Sequence, residues 1–211
     1  MMGTFSMVAR CPKTGALGVC VSTAVPAVGG VVPHAEAGVG AIATQGYTEV
    51  QYGLRGLELL RRGISPRKAL ERMLKADPKR EARQVIIIDG LGRKAAHTGK
   101  ETYGWRGHIV GEDYVAAGNL IVSEKVLEAM AEAFEDSAGH LSDRLMLALE
   151  AGERAGGDRR GGLSAALIVV GERNLPEIRP IISLRVDFHR EPVRELRRVY
   201  DAYMKWLGMW R

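Results

Sequence analysis

Three hydroxyl residues near the start of the chain, Thr4, Ser6 and Thr23, are spaced so that they cluster at the open end of one hairpin otherwise lined with valine. The segment Cys11-Pro12-Lys13-Thr14-Gly15 reads as the turn of a hairpin between strands Thr4 to Arg10 and Ala16 to about Ala24. If Cys11 and Ala16 close that turn, Arg10 faces Leu17, Val8 faces Val19, Ser6 faces Val21 and Thr4 faces Thr23. Alternation along a strand then puts Thr4, Ser6 and Thr23 on one face, and Phe5, Met7 and Ala9 on the other. The chemistry this allows is nucleophilic. Breaking the Gly3-Thr4 bond would free an α-amino group of pKa about 8, which can take the Thr4 hydroxyl proton in place of a histidine. The plainer reading is that strand threonines bond to nearby backbone.

Other chemistry-bearing patterns weigh less. Gly156-Gly157-Asp158-Arg159-Arg160-Gly161-Gly162 can cradle an anion through backbone N–H groups, with Arg159 or Arg160 holding a substrate carboxylate. It lacks the Gly-Lys-Ser/Thr of a phosphate-binding loop. Gly38-x-Gly40-x-x-Ala43 matches a dinucleotide pattern, but no helix follows it, so no cofactor is expected. The five histidines are scattered, with no HExxH or CxxC arrangement, and no metal is expected. The hairpin register puts Cys20 nearer Met7 than Cys11, which argues against a disulfide.

The elements that must position these residues follow from periodicity. After the first hairpin comes a strand at Val39 to Thr44, within a stretch from Gly15 to Gly46 whose only charged residue is Glu36. Two helices are predicted next, Tyr52 to Arg62 and Pro66 to Lys75, the second with Ser65 as N-cap and Pro66 in first position. Arg83 to Asp89 and Arg93 to Thr98 form a second hairpin about Gly90-Leu91-Gly92, with a further strand near Tyr114 to Ile121. Helices capped by Ser123 through Phe134, and from Leu141 to Ala155, precede a strand pair, Ser164 to Val170 with Ile181 to Val186. A basic amphipathic helix, Pro192 to Leu207, ends the order. Strands at both ends and helices inserted in pairs predict an α+β fold, a four-layer αββα sandwich of two stacked, mostly antiparallel sheets. With no linker or repeat, one domain over residues 1–211 is expected.

Composition bounds the partners. The 211 residues carry 30 basic and 25 acidic side chains and are 46% hydrophobic, as in a globular protein. Residues 55 to 83 hold ten basic and four acidic side chains, but leucines at helical spacing among them make these the solvated faces of two helices, so no nucleic-acid partner is expected. The longest apolar run, Ala165 to Val170, is far short of a membrane span. The opening MMGTFSMVAR shows no secretory pattern, and a cytoplasmic location is expected. Val193, Leu196, Val199, Tyr200, Tyr203, Trp206, Leu207 and Trp210 line one helix face; with the basic helix pair they suggest a homodimer.

The runs TFSMVAR, VGGVVPHAEAGVGAIATQG, YGLRGLELLRRG, RQVIIIDGLGRKAAHTG, AAGNLI, RLMLALEAGERAGGDRRGGLSAAL and DFHREPVREL, in this order, resemble the domain-of-unknown-function family numbered 1028, regarded as N-terminal-nucleophile-hydrolase-like. The resemblance implies that Thr4 is the nucleophile, with Asp158 and Ser164 as support groups beneath its amine. It places a backbone oxyanion donor at Gln45-Gly46, and Asn119 can add its side-chain amide. Each has a structural alternative: Asp158 as a turn cap, Gln45 bonded to an edge strand, Asn119 in a left-handed bend. Two features depart from the pattern. Proteasome-type sites put a lysine at the end of the second strand, where this chain has Ser22-Thr23-Ala24-Val25, and a chain still joined through Gly3 has no free Thr4 amine. The expected function is hydrolysis of a C–N bond in a small molecule or short peptide. The alternative is an unprocessed protein that binds a small ligand or partner without catalysis.

Overall fold

The structure, a computed structural model, describes residues 3–171 and 181–208. Its first sheet holds β1 (Thr4–Arg10), β2 (Leu17–Thr23), β7 (Trp105–Val110), β8 (Tyr114–Ile121), β9 (Ser164–Val170) and β10 (Ile181–Val186), in the order β10-β9-β2-β1-β8-β7. The second holds β3 (Pro33–Glu36), β4 (Gly40–Gly46), β5 (Arg83–Asp89) and β6 (Lys94–Thr98), in sequence order. Every pairing is antiparallel. Helices α1 (Gln51–Arg61) and α2 (Pro66–Ala76) cover the second sheet; α3 (Lys125–Glu135), α4 (Leu141–Arg154) and α5 (Pro192–Trp206) cover the first.

Three apolar cores separate the four layers. Phe5, Met7, Ala9 and Cys20 point from the first sheet into α3, α4 and α5. Val8, Val19, Val21, Val115 and Ala117 face Ala41, Ala43, Ile86 and Ile88 between the sheets. Ile42, Val85 and Ile87 meet Tyr52, Leu60, Leu70 and Met73 under α1 and α2. Strict alternation sorts neighbouring residues into different cores, and this is the αββα sandwich that the element order predicts.

The first hairpin has the expected register, including Thr4 opposite Thr23 and Met7 opposite Cys20. Its turn is closed by the Cys11 N–H donating to the Ala16 carbonyl at 2.9 Å. Cys11 and Cys20 are both free thiols. The Gly38–Ala43 pattern runs into β4 and not into a helix.

The structure corrects the sequence reading in two places. Strands β3 and β7 were not expected; each is an edge strand, one opening on a proline and the other alternating half-buried with exposed positions, so neither has an apolar run to announce it. Ser123 does not cap α3: Glu124 holds the cap position with helical backbone angles. Ser65 stands extended at the N-cap of α2 with Pro66 in first position, as expected, and the cap is made without a bond from its hydroxyl. Val193, Leu196, Tyr200 and Met204 of α5 are buried within the same chain, against the first sheet and α4. Trp206 is 64% exposed; Trp210 lies outside the described residues. Among the described residues no helix is long and apolar enough to cross a membrane.

Candidate active site

The site lies at the end of the central strand β1. Register aligns Ser164, Thr23, Thr4 and Asn119 on four adjacent strands, all on the face toward the second sheet. All four are buried, Thr4 at 5% exposure. A polar row in a sheet otherwise lined with valine and alanine must find its hydrogen bonds within the protein.

Thr4 and Thr23 find theirs on one atom. The carbonyl oxygen of Gly3 accepts from the Thr4 hydroxyl at 2.6 Å, the Thr23 hydroxyl at 2.5 Å and Nη2 of Arg160 at 3.0 Å. Asp158 aims the guanidinium: its Oδ1 accepts from Arg160 Nε at 3.0 Å and its Oδ2 from Arg160 Nη2 at 2.7 Å. The Asp158 carboxylate is itself held by the backbone N–H groups of Arg160 (3.0 Å) and Ala24 (3.2 Å). A bidentate, backbone-pinned carboxylate is a rigid mount for a cation. Two hydroxyls and a guanidinium on one carbonyl polarise it strongly, as donors to a developing oxyanion would.

Not every candidate converges there. The Ser6 hydroxyl donates to Gln45 Oε1 at 2.6 Å. Ser164 donates to the Val25 carbonyl at 2.5 Å and accepts from the Val28 N–H at 3.1 Å, so it braces the turn after β2. Arg159 is exposed and engages through its backbone, whose N–H donates to the Leu120 carbonyl at 3.0 Å. Gly46 ends β4 with φ +79°, against the Ala82 carbonyl. The Asn119 side-chain amide donates to Gln84 Oε1 at 2.9 Å, while its buried Oδ1 has no partner among the described residues.

Three contributors escaped the sequence reading. Gln84 joins the sheets: its Oε1 accepts from Gln45 Nε2 (2.8 Å) and Asn119, and its Nε2 donates to Thr98 Oγ1 (2.9 Å) and to the carbonyls of Gly107 and Gly118 (both 3.0 Å). A glutamine in the inward phase of Ile86 and Ile88 was the signal that could have found it. Leu120 is the extra residue where the β7–β8 register shifts, and it holds φ +51°, a left-handed conformation that non-glycine residues seldom adopt. Glu153 of α4 is pushed above the ordinary carboxylate range by burial, then by the charge of Asp158. Neither of the last two leaves a mark in local sequence. A separate cavity of about 460 Å³ opens between α1 and α2, beyond the second sheet from Thr4.

Fold and site together describe an αββα sandwich whose central strand begins with a threonine bonded to its own preceding carbonyl. The chain belongs to the family of unknown function DUF1028, whose family model matches residues 4–196. The crystal structure of a Silicibacter pomeroyi protein of that family is similar to this chain with a TM-score of 0.88 and 35% sequence identity, over 97% of this chain and 87% of that one. Anbu (ancestral beta-subunit) from Yersinia bercovieri matches with a TM-score of 0.40 and 9% identity, over 98% of this chain and 97% of its own. No functionally curated protein matches.

Proposed function

We propose that the protein is an amidohydrolase of the N-terminal-nucleophile type, in which Thr4 is first released from Gly3 and then cleaves a C–N bond in a small molecule or short peptide. The observation that carries this reading is the triple donation by Thr4, Thr23 and Arg160 to the Gly3 carbonyl oxygen. In the release step the Thr4 hydroxyl oxygen bonds to the Gly3 carbonyl carbon and the C–N bond to Thr4 breaks. The hydroxyl proton ends on the departing nitrogen. Water then adds to the resulting ester, yielding the Gly3 carboxylate, the Thr4 hydroxyl and a free α-amine. In turnover that amine takes the Thr4 hydroxyl proton, passes it to the leaving amine of the substrate, and water hydrolyses the acyl ester. Thr23 and Arg160 stabilise the oxyanion in both steps.

The second reading, a ligand-binding or interaction protein that is never cleaved, draws on Thr4 being buried behind Gly3 and on the lack of a lysine at the end of β2. Intact mass and N-terminal sequence of the protein from its native source separate the two. Release requires a chain beginning at Thr4, and Thr4→Ala must abolish both that product and any amide hydrolysis. A native chain that keeps Gly3 supports the second reading.

A further inference from the structure

Resting on the amidohydrolase reading, we infer that the acyl group this site accepts has an unsubstituted α-carbon, which makes glycyl amides its substrate class. The slot now filled by Gly3 is walled on three sides. A β-carbon added there would lie 2.7 Å from Leu120 Cβ, 3.0 Å from Asp158 Oδ2 and 3.2 Å from the Asn119 carbonyl oxygen. The first is closer than real β-carbons come to other atoms, and the other two are tight.

None of the three walls is free to retreat. Leu120 presents its Cβ from a left-handed residue at the β7–β8 bulge, with its N–H donating to the Tyr103 carbonyl at 2.7 Å and its carbonyl accepting from Arg159. Asp158 is pinned by Arg160 and two backbone N–H groups. The Asn119 carbonyl belongs to the backbone of β8, opposite Thr4.

The chemistry ties this slot to turnover. The ester formed when Thr4 Oγ1 attacks the Gly3 carbonyl is a glycyl ester of Thr4. The acyl-enzyme from a glycyl amide has the same ester carbonyl and the same unsubstituted α-carbon, differing only in the group on the α-nitrogen, so a slot that fits one α-carbon fits the other. With alanine the extra methyl meets Leu120 and Asp158, and overpacking of this kind slows acyl transfer by about 10- to 100-fold.

The test uses the full chain and a chain beginning at Thr4. Cleavage at Gly3-Thr4, followed by intact mass, is expected to slow about 10- to 100-fold in Gly3→Ala. It should recover in Gly3→Ala/Leu120→Gly, because glycine suits the left-handed position and removes the nearest wall. The chain beginning at Thr4 is expected to hydrolyse glycine p-nitroanilide with a kcat/KM about 10- to 100-fold above that for L-alanine p-nitroanilide. Should Gly3→Ala fail to fold, as a thermal melt would reveal, the two anilides decide. A parent that cleaves while Gly3→Ala cleaves equally fast, or equal turnover of the anilides, overturns the glycyl assignment and leaves the amidohydrolase reading standing. A parent that never cleaves, together with a Thr4-initiated chain inert to both anilides, overturns the two together.

Discussion

The hydroxyl oxygens of Thr4 and Thr23 lie 3.3 Å apart on neighbouring strands and share one acceptor, the carbonyl oxygen of Gly3. Antiparallel pairing brings the two β-carbons side by side, so the second hydroxyl has the reach to serve the residue before its partner. Thr23→Val keeps the shape and removes one donor. Cleavage at Gly3-Thr4 is expected to slow by about 10²- to 10³-fold, the usual loss for one oxyanion donor, with a stability loss of about 1 kcal/mol. Thr23→Ser should retain most of the rate. A mass-spectrometric time course reads both variants.

Asp158 is expected to act on that carbonyl through Arg160. Asp158→Asn keeps the size but removes the charge that holds the guanidinium, and a charge-assisted bond of this kind contributes about 1.5–3 kcal/mol. Denaturant unfolding should show a loss of that order. Arg160→Lys should lose less stability yet slow cleavage too, since an ammonium cannot bridge Asp158 and the Gly3 carbonyl with a planar fork.

Gln84 is the polar bolt between the sheets. Among the described residues, replacing it with leucine leaves the buried amide of Asn119 without an acceptor and that of Gln45 with only the Ala117 carbonyl at 3.3 Å. A cost of about 2–4 kcal/mol is expected on unfolding in urea. Gln84→Glu should also destabilise, because its carboxylate would replace a donor that now faces the carbonyls of Gly107 and Gly118.

Glu153 sets a pH dependence whose sign follows from its environment. Burial first, and Asp158 second, raise its folded pKa above the unfolded value. Its favourable contribution is therefore fully present below the ordinary glutamate range and is lost as pH rises through the raised value. Glu153→Gln removes that loss, so the variant should be more stable than the parent near pH 8, with the gap closing under acid conditions. Thermal melts at several pH values decide it, and a gap that widens on acidification contradicts this account.

Cys20 packs beneath the helices, and burial pushes its thiol up to about 12. Thiolate is the reactive form. Iodoacetamide at pH 8 is expected to leave Cys20 unmodified in the folded protein and to modify it completely in denaturant, as peptide mass mapping would show.

What the sequence by itself determined is local. A five-residue turn with proline and glycine sets the β1–β2 register, and alternation then assigns Thr4, Ser6 and Thr23 to one face and Phe5 and Met7 to the other. The same reasoning reaches α2 through Ser65-Pro66 and pairs β9 with β10. Edge strands β3 and β7 escape it because solvent on one side removes the apolar run that marks a strand. Only the tertiary structure decided where each polar group spends its bonds. Ser6 and Ser164 share the inward face with Thr4, yet one bonds across to the second sheet and the other braces a turn. The bulge at Leu120, the bridge at Gln84 and the reach of Arg160 to a carbonyl 157 residues away in sequence all depend on which distant strands become neighbours. Periodicity records which side of an element meets the core; it holds no record of what stands opposite, because that is set by the packing of the whole chain.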